Sequence, residues 1–107
     1  MPTSFVPADV SIGATRTLLY TTPASTQSVL FAGTVANIDT TAMTDHWVTI
    51  EIQKVDTSYV SVLIQAPISF GGSLSLPKIA LIAGEKVYLT ADAASKLVAR
   101  VSIVEKT

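Results

Sequence analysis

Apolar and polar residues alternate with a period of two along most of the chain, which is the pattern of half-buried β-strands. The stretches HWVTIEIQKV and YVSVLIQAPI show this alternation most plainly, and a short connection joins them. Two such stretches predict an antiparallel hairpin. In each of them every second residue is apolar and is predicted to face the core: Val48, Ile50 and Ile52 in the first, and Val60, Val62 and Ile64 in the second.

The segment Asp92–Lys96 is ambiguous, because an acidic residue followed by Ala-Ala-Ser is also typical of a helix start. A helix over residues 92–100 would gather Ala93, Leu97 and Arg100 on one stripe, which is not an apolar face. A period of two continues on both sides instead. The sequence therefore predicts a hairpin loop at 92–96 between two strands, whose core-facing residues are Val87, Leu89, Val101 and Ile103.

About eight short strands, separated by turn signals at roughly ten-residue spacing, predict an all-β fold. A chain of 107 residues is long enough for one domain. We expect a single antiparallel β-sandwich, of the jelly-roll or Ig-like kind, over residues 14–107. An extended N-terminal arm is expected over residues 1–13.

The predicted arm contains Pro2 and Pro7, which disfavour a helix. It also contains apolar side chains that a solvated tail does not need. Two interpretations remain open: a disordered leader, or an extended arm that lays its apolar side chains on a neighbouring subunit. The second predicts an oligomer interface formed by Phe5, Val6, Val10 and Ile12.

Charged residues make up only 14% of the chain, against about 25% in a typical soluble domain. The mean hydropathy is +0.50, so we expect part of the surface to be buried against copies of the same chain. The net charge is −1 and no basic run occurs, which argues against nucleic-acid binding. No cysteine is present, and no apolar stretch approaches the ~20 residues of a membrane span.

The candidate chemistry is sparse. His46 is the single histidine, no Cys is present, and no Gly-x-Ser-x-Gly turn accompanies it. Neither a zinc site of ordinary composition nor an activated serine is therefore expected. Asp39 and Asp45 bracket an oxygen-rich loop, but two carboxylates fall short of a dedicated calcium site. The sequence predicts a non-enzymatic protein with no metal and no cofactor.

Four aromatic residues carry an alternative function. If Tyr20, Trp47, Tyr59 and Tyr88 shared one outer face, they could form a platform for a sugar ring. The protein would then be a carbohydrate-binding β-sandwich module, which belongs to a fibre or recognises a host glycan. Aromatic residues in sandwiches more often complete the core or an interface, so this remains the second hypothesis.

The stretch from Leu74 to Glu105 resembles the C-terminal half of small β-sandwich virion proteins of tailed bacteriophages. In those proteins a strand enters Gly-[Asp/Glu]-x-[apolar]-x-[apolar], a small-residue loop follows, and the chain ends on Ser-[apolar]-x-Glu. The N-terminal stretches TRTLLYTTPAS and VANIDTTAMT are also similar to such proteins, and Glu85 stands where Asp is commoner. The matching residues are Gly84, Glu85, Val87 and Leu89, then Ala94 and Ser95, then Val101, Ser102, Ile103 and Glu105.

The resemblance implies a structural protein of a tailed-phage virion, of the collar, neck, capsid-decoration or fibre-base type. It implies partners of two kinds: copies of the same chain, and other virion proteins such as capsid, portal, neck or tail proteins. The implied location is the virion, assembled in the host cytoplasm. The family supplies no catalytic residue, and neither nucleic acid nor membrane is an implied partner.

Overall fold

The protein is all-β in the computed structural model, which describes residues 3–107. No helix occurs among these residues, and so none that is long and apolar enough to cross a membrane. The strands are β1 (Thr3–Ile12), β2 (Thr17–Thr21), β3 (Gln27–Asn37), β4 (His46–Gln53), β5 (Tyr59–Ile68), β6 (Ser73–Ser75), β7 (Ile79–Leu81), β8 (Lys86–Ala91) and β9 (Leu97–Lys106).

The strands form two antiparallel sheets. Sheet A has the order β1-β9-β3, and the short strands β6 and β7 both pair with the far side of β3. Sheet B has the order β2-β8-β4-β5. The chain passes repeatedly between the two sheets, which is the connectivity of a jelly roll. The predicted β-sandwich is confirmed, and the connectivity selects the first of its two predicted forms.

The core lies between the inner faces of the two sheets. Most of the residues predicted to face it are fully buried, namely Val48, Ile50, Val87, Leu89, Val101 and Ile103. Ile52 and Val62 pack at its margin. The prediction is wrong for Ile64, because the pairing of β4 with β5 shifts register between Val48 and Ile50 and leaves this side chain exposed. Val60 is also exposed, although it pairs directly with Ile52, because it lies near the end of an edge strand.

The segment 92–96 contains bends and a turn but no helix. Strands occur on both sides of it, as predicted, but they do not form a hairpin. Strand β8 pairs with β2 and β4, whereas β9 pairs with β1 and β3. The segment therefore carries the chain from sheet B to sheet A. The flanking alternation is the same in both arrangements, because each strand has one face toward the shared core.

The N-terminal segment is extended, but it is not a separate arm. Residues 3–12 form β1, which pairs with β9 along its whole length, while residues 1 and 2 lie outside the described residues. Every second residue from Val6 to Ile12 faces the core, and Ile12 is fully buried in it. Pro7 is tolerated because an edge strand makes ladder hydrogen bonds on one side only. The division into an arm at 1–13 and a domain at 14–107 is corrected accordingly.

Gly33 marks a close approach inside sheet A. It follows a register shift between Leu30 and Ala32, where β3 bulges against β9. A Cβ atom at Gly33 would lie 2.6 Å from Val101 Cγ1 and 3.2 Å from Leu76 Cδ1. Val101 is β-branched and buried, so its side chain has little freedom to move away.

We expect Gly33→Ala to lower the free energy of unfolding by about 1–3 kcal/mol, the usual cost of overpacking a core. Urea denaturation monitored by tryptophan fluorescence measures it. An unchanged midpoint would show that β3 and β9 can separate here without cost.

Candidate interaction surfaces

The residues predicted to form an oligomer interface separate into two groups on β1. Phe5 points outward and its side chain is 72% exposed. Val6 and Val10 are half-buried and pack against the core, and Ile12 lies within it. Only Phe5 is therefore free to contact another molecule over most of its surface. Ile12 belongs to the core rather than to an interface, because its strand pairs with β9 and turns it inward.

Phe5 belongs to an apolar row on the outer face of sheet A. The row crosses four strands through directly paired residues: Phe5 with Val104, Val104 with Val29, and Val29 with Ala80. Phe31 lies beside the row and meets Phe5 edge-on, with ring centroids 6.0 Å apart. The row contrasts with the polar residues that solvent-facing sheet surfaces usually carry, such as Asp9 and Arg100 farther along the same face.

Strand β5 is at one edge of sheet B, opposite the edge formed by β2, and it pairs with β4 on its inner side. It is 10 residues long, and none of its side chains is charged. Its exposed apolar residues include Val60, at 47% exposure, and Ile64, at 71%. Pro67 interrupts only its C-terminal end. A long uncharged edge strand of this kind offers its backbone groups to another strand.

The other sheet edges differ from β5. Strands β6 and β7 have 3 residues each, and β2 has 5. Strand β1 is as long as β5, but it carries Pro7 near its middle and Asp9 beyond it. Short strands, prolines and charges are the usual means of protecting an edge. Among the described residues, strand β5 is the longest edge strand without a charged side chain, although its pairing with β4 contains two register shifts.

The four aromatic residues of the carbohydrate hypothesis do not form one platform. Tyr20 points into the core, where its hydroxyl donates to the Glu105 carboxylate. Burial, followed by that hydrogen bond, raises the pKa of Tyr20 to about 12. Trp47 lies six positions along β4 from Gln53, the partner of Tyr59, which is about 20 Å in a strand.

Tyr59 and Tyr88 do meet on the outer face of sheet B, with ring centroids 5.9 Å apart. The Arg16 guanidinium covers the Tyr59 ring at 3.6 Å from its centroid. The same guanidinium donates to both carboxylate oxygens of Glu51. The face that would stack on a sugar is therefore occupied by the protein's own cation.

His46 lies in a buried polar cluster at one end of the sandwich. Its Nε2 is 2.8 Å from Asp39 Oδ2, and its Nδ1 is 2.9 Å from each carboxylate oxygen of Asp92. The Thr44 hydroxyl donates to Asp39 Oδ2 at 3.1 Å, and Lys96 Nζ is 3.5 Å from Asp39 Oδ1. Asp39 and His46 are both buried.

The cluster holds its charges as ion pairs. The hydrogen bond to Asp39, and then the one to Asp92, raise the pKa of His46 above its ordinary value. The hydrogen bond from His46 is the largest of the influences that hold the pKa of Asp39 well below its usual range. A carboxylate at each ring nitrogen favours the imidazolium, and an imidazolium has no lone pair with which to act as a general base.

The cluster is also unsuited to a metal ion. Carboxylate oxygens of Asp39 and Asp92 contact the ring nitrogens of His46, and among residues 3–107 no group of His, Cys, Asp and Glu has the arrangement of a metal site. The two aspartates that bracket the loop serve different partners. Asp39 contacts His46, whereas Asp45 Oδ1 accepts the backbone N–H of Phe70 at 3.1 Å.

Sequence reasoning singled out His46, Asp39 and Phe5 but not their surroundings. Asp92 and His46 are 46 positions apart and are joined by the crossover from β8 to β9. No local signal links them. The exposed edge of β5 was missed because its alternation predicted a buried register for Val60 and Ile64.

No family model and no curated protein matches the sequence. The fold is similar to that of a chain from a solved structure of Bacillus endospore appendages, which are described as a novel family of disulfide-linked pili. The TM-score is 0.59 with 20% sequence identity, over 99% of this chain and 87% of that chain. At this identity the similarity shows a shared fold, and it agrees with the β-sandwich described above.

Proposed function

We propose that the protein is a non-enzymatic structural subunit that associates with copies of itself through the β5 edge of sheet B. The observation that carries this proposal is β5, an edge strand of 10 residues with no charged side chain and with Val60 and Ile64 exposed. Another copy can supply the missing hydrogen-bond partners and cover both side chains.

Three features of the rest of the molecule support an assembly role. The outer face of sheet A carries the apolar row from Phe5 to Ala80. The low charge content leaves few like-charge contacts to oppose association. The single histidine is held between two carboxylates and has no free nitrogen for catalysis. The second hypothesis, carbohydrate binding, lacks the aromatic platform that it needs.

The assembly that we propose is a tailed-phage virion, in which the chain contacts capsid, neck or tail proteins as well as copies of itself. The sequence resemblance over residues 74–105 supports this choice. The fold similarity to subunits of pili supports polymeric association in general. The disulfide links named for those pili do not transfer, because this chain has no cysteine. Imaging of a particle that contains the chain would give its position and copy number.

We expect Ile64→Lys to weaken self-association by at least about tenfold. Burying an isoleucine contributes about 1.5–3 kcal/mol, and 1.4 kcal/mol corresponds to a factor of ten. A lysine also places a charge on the edge. Sedimentation velocity over a range of concentrations measures the change. The matched control is Ala24→Lys, which adds the same charge at an exposed turn position outside β5.

Equal association of the wild type and Ile64→Lys would remove β5 from the interface. A wild-type chain that stays monomeric at high concentration, and that also fails to bind any particle component, would overturn the structural role itself.

A further inference from the structure

The buried cluster around His46 joins two connections that belong to different parts of the fold. Asp39 and Thr44 lie in the β3–β4 loop, and Asp92 lies in the β8–β9 crossover. Strands β3 and β9 belong to sheet A, and β4 and β8 belong to sheet B. His46 itself begins β4, so a single side chain links both sheets at this end of the sandwich.

We propose that His46 is a protonation-controlled clamp, which holds the β3–β4 loop and the β8–β9 crossover together while its ring carries two protons. The clamp does not depend on self-association. Its basis is the placement of one buried imidazole between the Asp39 and Asp92 carboxylates, at 2.8 and 2.9 Å.

The charged groups around the ring come from three places. Asp39 approaches from the β3–β4 loop, Asp92 approaches from the start of the crossover, and Lys96 approaches Asp39 from the end of the crossover. Thr44 contributes a neutral hydroxyl 3.3 Å from Nε2. The neighbouring carboxylate of Asp45 bonds to the Phe70 N–H instead.

The number of protons on the His46 ring decides whether its contacts with the Asp39 and Asp92 carboxylates are attractive. The imidazolium donates one N–H to each carboxylate, so both contacts are charge-assisted. A neutral imidazole keeps only one N–H, and its other nitrogen turns a lone pair toward a carboxylate less than 3 Å away. Losing the proton therefore converts one attractive contact into a repulsive one in a buried site.

Nearby hydrogen bonds form only while the loop and the crossover are held together. The Ile38 N–H donates to the Lys96 carbonyl at 2.9 Å, directly joining the loop to the crossover. The Asn37 side chain donates to the Thr44 carbonyl at 2.9 Å and to the Ile68 carbonyl at 3.1 Å. The two Asn37 bonds connect the cluster to the end of β5. Hydrogen exchange at the Ile38 backbone amide reports on separation of the loop from the crossover.

The direction of the pH dependence follows from the two pKa changes. The raised pKa of His46 gives stabilisation that is complete below about pH 6.5 and is lost as pH rises through the folded-state pKa. The lowered pKa of Asp39 gives stabilisation that is complete above about pH 4 and is lost as pH falls through the folded-state pKa. The clamp is fully effective between about pH 4 and pH 6.5.

The test is nitrogen-15 NMR of the His46 ring combined with amide hydrogen exchange across a pH series. We expect both ring nitrogens to be protonated at pH 6.5 and the ring to titrate above that value. Protection factors in residues 38–44 and 92–96 should fall by up to about tenfold per pH unit, starting near pH 6.5 and levelling off beyond the His46 midpoint. Amides at the β1–β9 pairing should keep their protection.

Two variants separate the clamp from a merely structural role. Asp92→Asn should move the His46 midpoint about one pH unit lower, because it removes one flanking negative charge. His46→Gln should remove the pH dependence of protection in the two segments. If His46→Gln does not fold, Asp92→Asn carries the test alone. A ring that titrates at or below pH 6.5, or segments whose protection ignores the ring's titration, would overturn the proposal.

Discussion

Replacing Ile50 by Ala is expected to lower the free energy of unfolding by about 2–5 kcal/mol, the cost of removing a well-packed isoleucine from a core. Ile50 is fully buried on β4, whose neighbours β5 and β8 flank it on both sides. Total stabilities of domains are about 5–15 kcal/mol, so this variant is expected to lose a large fraction of its stability. Equilibrium urea denaturation of the dilute protein, with an unchanged slope, measures the loss.

Ile64→Ala is the matched control for Ile50→Ala, because it makes the same chemical change at a side chain that is 71% exposed. We expect a loss below about 0.5 kcal/mol for the monomer. Equal losses for the two variants would mean that the register shifts between β4 and β5 are misplaced and that Ile64 faces the core.

Deleting residues 2–12 is expected to abolish cooperative folding at room temperature. The deletion removes all of β1, and with it Ile12, which is buried in the core. It also removes the antiparallel pairing of β9 with β1 and leaves its pairing with β3. Loss of one buried isoleucine alone costs about 2–5 kcal/mol. Circular dichroism during heating should show no sigmoidal transition.

The control for the deletion is Phe5→Ala, which keeps β1 and changes only its exposed aromatic side chain. It should melt within a few degrees of the wild type. A truncated chain with a wild-type transition would show that β1 contributes nothing to the domain, and it would restore the separate arm that the sequence predicted.

The strands of the fold could be predicted because burial between two sheets imposes a period of two on the chain. Val48, Val87 and Val101 follow that period and are buried as expected. The predicted alternation of buried and exposed residues fails where a strand contains a bulge. The shifts between β4 and β5 leave Ile64 outside the core. A bulge adds one residue and has no fixed sequence signal.

Pairing between strands was less predictable than the strands themselves. The sequence of the crossover at 92–96 also fits a hairpin loop, because both kinds of connection are short and polar. The N-terminal segment reads like an arm because of its prolines, although Val6, Val10 and Ile12 already follow a period of two. Which strand lies beside which depends on long-range packing, and one sequence does not show it.

Part of the His46 cluster could be predicted from the sequence. Asp39 is seven positions from His46, in the same loop region, whereas Asp92 is 46 positions away. Only the jelly-roll connectivity brings the second carboxylate to the ring. The resulting ion pairs explain how a chain with few charges keeps some of them buried.

The most direct test of the proposed assembly is amide hydrogen exchange of β5 at low and high protein concentration. An edge strand has amides that face no partner, and these exchange rapidly in a monomer. We predict that the free-side amides of residues 59–68 gain protection as concentration rises, while those of the neighbouring turn at 54–58 do not. Rapid exchange of the free-side β5 amides at every concentration, in a sample whose molar mass nevertheless increases, would contradict association through this edge.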